Sequence, residues 1–191
     1  MTRIRLPSAA LLLFASLAGC AGSSRGQRYQ DKNMDFGAIR TVAVLPFANL
    51  SRDNLAGDRV RDVYAGMLLA TGAVYVVPAG EVARGIGKAA IATPATPSTD
   101  DIVKLGTALK VDGIIAGVVK EYGEVRSGTA SGNAVSVSIQ LFETATGKVV
   151  WAGSTTRGGV SMGDRLFGGG GEPLNHVTEA AVDDLLNKMF K

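Results

Sequence analysis

Two kinds of strand pattern occur in this chain, and their combination restricts the fold more than any other feature. Residues 41–47, TVAVLPF, are a continuous β-branched apolar run stopped at Pro46, the pattern of a strand buried on both faces. Residues 134–144, AVSVSIQLFET, and 148–157, KVVWAGSTTR, alternate instead and flank Ala145-Thr146-Gly147, which predicts a β-hairpin. In its first strand Val135, Val137, Ile139 and Leu141 share one face while Ser136, Ser138 and Gln140 share the other. One face is therefore buried and one wet.

Helical periodicity fills the space between these strands. Leu55, Val60, Val63, Met67 and Leu68 recur at helical spacing before Thr71-Gly72 ends the pattern. Residues 73–78, AVYVVP, read as a second strand, and Glu81 to Lys88 as a short helix. A loop then leads to a helix start, where Ser98 or Thr99 can cap free N–H groups and Asp100 and Asp101 favour the positive end of the dipole. After that helix, residues 111–125, VDGIIAGVVKEYGEV, predict a long strand whose glycines mark close packing or a bulge. A glycine-rich loop, Gly158 to Gly171, precedes a last helix from Asn175, read as its N-cap, to Phe190. Its Val177, Ala181, Val182, Leu185, Leu186 and Met189 make one stripe that should close over the sheet. The order βαβααβββα predicts a single α/β (α+β) domain over residues 39–191, with a mixed sheet, a C-terminal antiparallel hairpin and helices packed on it.

The N-terminus is of another kind. Arg3 and Arg5 precede an apolar run from Ala9 to Ala18, too short to span a bilayer and read as an export signal, residues 1–19. Leu17-Ala18-Gly19-Cys20 closes it and resembles the lipobox of bacterial lipoproteins, which implies lipidation of Cys20 as the new N-terminus. Two or more acyl chains make a stable membrane anchor where one does not. With Ala21 rather than Asp after the cysteine, the lipobox resemblance implies the outer membrane, with the domain facing the periplasm. Residues 20–38 are polar, lack apolar periodicity and read as a flexible tether.

Removing Arg3 and Arg5 with the signal leaves 18 Lys and Arg against 17 Asp and Glu. A charge of +1 gives no reason to expect a nucleic-acid partner. Cys20 is the sole cysteine and His176 the sole histidine, so neither a disulfide nor a zinc site is expected. No cofactor or small-molecule substrate is indicated either.

Several short matches to catalytic motifs fail on context. Gly159-Val160-Ser161-Met162-Gly163 fits the G-x-S-x-G elbow, with Asp164 and His176 downstream in the chain order of a triad. That elbow must join a buried strand directly to a helix, whereas here it runs into Asp164-Arg165-Leu166-Phe167 and four glycines. The tetrad Gly168 to Gly171 lacks the lysine of a phosphate loop, and Gly85-Ile86-Gly87-Lys88 lacks the third glycine and acidic partner of a dinucleotide site. Asp100/Asp101 and Asp183/Asp184 splay apart on a helix and read as helix-start charge and solvated surface. A non-enzyme is expected, with hydrolysis at Ser161 the remotest alternative.

Four segments carry a resemblance to a known group: Val42 to Phe47 with Asn49-Leu50-Ser51; Tyr75 to Pro78; Leu105-Gly106 through Val111 to Gly117; and Leu141 through Thr146-Gly147-Lys148-Val149-Val150-Trp151. Over residues 39–190 the chain resembles the bacterial envelope lipoproteins that include CsgG, LpoB, the amino-terminal domain of TolB and the neisserial surface lipoproteins. Curli-type channels need additional membrane hairpins of about 9–11 residues per strand, and residues 123–133 and the glycine-rich loop are too short for them. The compact neisserial type is nearest. The resemblance implies an accessory of envelope assembly or transport that works by binding an envelope protein, itself included. The alternative it implies is an activator of a penicillin-binding protein.

Overall fold

The computed structural model, described for residues 28–160 and 171–190, joins both kinds of strand in one mixed sheet. The continuous run forms β2 (Thr41–Val44) and β3 (Ala48–Asn49), interrupted where Pro46 has no N–H to give. Strand β4 is Tyr75–Val76, and β5 is Gly113–Ser127. Strands β6 (Ala130–Glu143) and β7 (Val149–Gly158) are the alternating hairpin. A further strand, β1 (Arg28–Gln30), precedes them all. The order across the sheet is β1-β7-β6-β5-β2-β4, with β3 also on β5. β2, β3 and β4 are parallel members, while β5, β6, β7 and β1 pair antiparallel.

The helices are α1 (Ala56–Ala70), α2 (Ala79–Lys88), α3 (Thr99–Leu109) and α4 (Leu174–Phe190). One sheet face carries Val44, Ile115, Val137, Ile139 and Trp151 against Val60, Tyr64 and Leu68 of α1 and Val182 and Leu185 of α4. The other face packs Ala43, Leu45, Ile114 and Phe142 against Val82 of α2 and Ile102 and Leu105 of α3. The alternation expected in β6 is present: Val135, Val137, Ile139 and Leu141 are buried, while Ser136, Ser138 and Gln140 are not.

Local chemistry explains most element ends. Ser98 caps α3 in a reciprocal capping box with Asp101, which pairs two otherwise orphaned donors. Two-residue turns favour glycine where φ is positive, and Gly128, at φ 65°, follows the pair Ser127 and Ala130 at the β5–β6 turn. Close packing rather than bending explains Gly117, where a Cβ would lie 2.8 Å from both Ile139 and the Phe47 ring.

Two expectations change. Residues 28–38, assigned to the tether by their polarity, belong to the domain. Arg28–Gln30 pairs with Trp151–Gly153 of β7, and Phe36–Ala38 form a 3-10 turn. An edge strand is held by backbone hydrogen bonds, so its side chains need no apolar pattern. Residues 1–27, which hold the expected signal, Cys20 and the rest of the expected tether, lie outside the described residues. Asn175 is not the N-cap of the last helix, because the Val177 N–H already donates to the Pro173 carbonyl (3.1 Å) and Asn175 sits inside the first turn.

Candidate functional site

Helices α2 and α3 cover only the end of the second sheet face that holds Ile114 and Phe142. Beyond it the registers align Tyr29, Ala152, Gln140 and Ala116 in one row and Ser154, Ser138 and Val118 in the next. These side chains, small at Ala116, Ser138, Ala152 and Ser154, floor an open groove of about 880 Å³, bounded by Thr96 and Pro97 of the α2–α3 loop. The alternation of β6 and β7 foretold a wet face, and its continuation across β1 and β5 required the register.

A second surface lies along β5. Strand β3 pairs only with Val118 and Val119, and the Leu50 N–H closes that ladder on the Val119 carbonyl (2.8 Å). A bulge between Val119 and Glu121 follows, and β5 continues to Ser127 with no strand on that side among the described residues. Beside it the Asn49 side chain accepts from the Ser51 N–H (2.9 Å) and donates to the Asp53 carbonyl (2.7 Å). This side-chain turn replaces backbone pairing and leaves Leu50 71% exposed. Leu50, Arg52, Glu121 and Arg126 line a groove of about 970 Å³ along the free edge. Sequence reading noted Asn49-Leu50-Ser51 but gave no reason to expect Leu50 in solvent.

The opposite edge is guarded. Past Gly153, Lys188 of α4 donates to the Ser154 carbonyl (3.0 Å) and to Asp184 (2.6 Å), and Arg157 pairs with the same carboxylate. Lysines at strand edges discourage foreign pairing. Asp184 is therefore the centre of a half-buried ion cluster rather than the solvated residue its sequence suggested.

Asp112 does comparable work at the start of β5. It accepts from the Arg40 N–H (3.0 Å), the Thr41 N–H (2.9 Å) and the Thr41 hydroxyl (2.8 Å). Desolvation pushes the carboxyls of Asp112 and Asp184 up, but the hydrogen bonds from Arg40 and Thr41, and from Lys188, Thr155 and Arg157, outweigh it and hold both below their usual value. A depressed carboxylate stabilises the fold above its unfolded pKa of about 4 and loses that contribution as pH falls. Melting temperature is thus expected to be flat above about pH 5 and to fall below about pH 4. Calorimetry on Asp112→Asn should show a shallower acid limb than the parent.

Of the triad match only His176 lies among the described residues. His176 is exposed on the first turn of α4, and Ser161 and Asp164 lie outside the described residues. Gly85 proves to be a packing residue, since a Cβ there would lie 2.3 Å from Leu109. Asp101 is used by the capping box. Among the described residues no helix is long and apolar enough to cross a membrane.

No protein-family model matches the chain, and no curated protein matches it in sequence. Solved structures do match. Lipoprotein GNA1162 from Neisseria meningitidis superposes with a TM-score of 0.57 at 20% identity, over 79% of this chain and 98% of that one. The fold is that of the neisserial-type lipoproteins. A PelC dodecamer from Paraburkholderia phytofirmans matches with a TM-score of 0.57 at 18% identity, over 85% and 96% of the two chains. The LpoB C-terminal domain from Salmonella enterica is more distant, at 0.49 and 12% identity over 66% and 86%. The neisserial part of the resemblance read from the sequence is found in the fold.

Proposed function

We propose that this chain is a non-enzymatic lipoprotein, anchored through Cys20 in the outer membrane, that serves envelope assembly or transport by binding a protein partner, a second copy of itself included. The observation that carries this reading is the edge of β5 from Lys120 to Ser127, which no strand among the described residues covers, with Leu50 exposed beside it. An open strand edge offers backbone donors and acceptors to an incoming strand, and an adjacent apolar side chain adds specificity. The fold shared with a PelC dodecamer supports self-association as one form of that binding.

The tether agrees with work close to the membrane. From Cys20 to Arg28 are eight residues, about 27 Å when fully extended. Such reach suits a partner at the membrane surface better than one across a thick cell wall.

Crosslinking with mass spectrometry on native envelopes tests the reading. Crosslinks from Lys120 to a discrete partner or to a second copy are expected, and Leu50→Asp should weaken them about tenfold by placing a charge in the apolar contact, with melting temperature unchanged. Either no partner above a tethered control domain, or crosslinks indifferent to Leu50→Asp, would overturn it.

A further inference from the structure

The charges along the open edge of β5 specify one partner. Ser127 and Ala130 close the β5–β6 turn across two residues, so that pair exchanges backbone hydrogen bonds, and pairs with and without such bonds alternate from there. Val125 therefore turns its backbone groups to β6, while Glu124 and Arg126 turn theirs outward. The side chains of Glu124 and Arg126 share one sheet face and approach each other to 3.4 Å, with the arginine 77% exposed. Val125 lies on the other face.

Identical strands paired antiparallel about a two-fold axis place one residue opposite its own copy. With Val125 at the axis, Glu124 of each copy stands opposite Arg126 of the other, and both present free backbone groups. Opposite charges across a strand pair stabilise it and like charges destabilise it. Moving the axis to Glu124 or to Arg126 sets like charges face to face. Moving it to Gly123 sets Arg126 against Lys120 and drives the second copy's turn into β3, which already holds the edge at Val118 and Val119. With Val125 at the axis that turn, Gly128-Thr129, instead falls opposite Tyr122 and Glu121, in the groove lined by Leu50 and Arg52. We propose that two copies of this chain join antiparallel through residues 123–127 of β5, with Val125 at the two-fold axis, which rests on the reading that the β5 edge binds a partner. So short a ladder makes a small, reversible contact.

Disulfide trapping tests this on the full chain in its own membrane. Residues facing each other in a non-hydrogen-bonded antiparallel pair have Cα atoms about 4.5 Å apart, within reach of a disulfide. Val125→Cys should therefore yield a dimer on mild oxidation, with mass spectrometry placing the bond between the two introduced cysteines and not at Cys20, the sole cysteine of the parent chain. Adding Glu124→Lys or Arg126→Glu should cut the dimer yield about tenfold, and adding both should restore it. No dimer linked at position 125, or a yield indifferent to the charge reversals, overturns the proposal. If Lys120 then crosslinks to a different protein in the same membranes, the β5 edge still binds a partner and only the second copy is excluded. With neither product, the reading of the edge as a binding surface falls as well.

Discussion

Trp151→Ala is expected to lower stability by about 3–5 kcal/mol, the range for removing a large aromatic side chain from a packed interior. The residue is fully buried between the sheet and α4. A bulge where Leu141 pairs with Trp151 and Phe142 with Val149 puts both Val150 and Trp151 in the core shared with α1 and α4. The indole lies over Gly153, where a Cβ would come within 2.4 Å of the ring. Pinned backbone on one side and a helix on the other leave little room for the cavity to collapse. In a domain of this size each kcal/mol moves the melting temperature by about 2–4 °C, so a drop of about 6–20 °C is expected by circular dichroism. Trp151→Phe should lose much less. The buried indole N–H has no partner among the described residues, and removing an unsatisfied donor offsets part of the lost volume. A loss below about 1 kcal/mol for the alanine variant would show that the ring is not held as described.

The period-two pattern of β6 and the spacing of α1 and α4 were readable because burial on one face leaves a periodic trace. Ser98 and Asp101 were readable as a helix start because capping chemistry is local. Arg28-Tyr29-Gln30 was not readable as a strand, since an edge strand held by three residues of β7 leaves no periodicity. Leu50 carried no signal either, because its exposure follows from an Asn49 side-chain turn and from β3 ending opposite Val119, where the bulge in β5 begins. The charge pattern of the β5 edge is less legible still. Glu124 and Arg126 read singly as solvated charges, and only the register with β6 shows that their backbone groups face outward. Asp184 was misread for the same reason, because its partner Arg157 lies 27 positions away. Sequence periodicity reports what one element buries, whereas a site made between elements depends on register.

Gly147→Ala is the second large expected effect, and its comparison with Gly72→Ala separates two causes. Both glycines have left-handed backbone, at φ 69° and 65°. Nothing lies within 4 Å of a Cβ added at Gly72, so that variant should lose only the backbone preference, about 1 kcal/mol. At Gly147 the added Cβ would also lie 2.6 Å from the carbonyl oxygen of Thr99 and 2.6 Å from its methyl group. The methyl could rotate away, but the carbonyl belongs to the first turn of α3, which the Ser98–Asp101 capping box holds in place. The strain and the clash together should amount to about 2–4 kcal/mol. Urea denaturation of the two variants measures the difference, and equal losses would mean that the β6–β7 turn can lift off α3 freely. The turn and α3 are joined a second time through Thr144, whose hydroxyl donates to the Val111 carbonyl (2.7 Å) just after the helix. Forcing the turn away should therefore loosen the covered end of the second sheet face first. Hydrogen exchange at Asp112 and Thr144, whose amides donate to the carbonyls of Thr41 and Asp112, should rise in Gly147→Ala before exchange in α4 does.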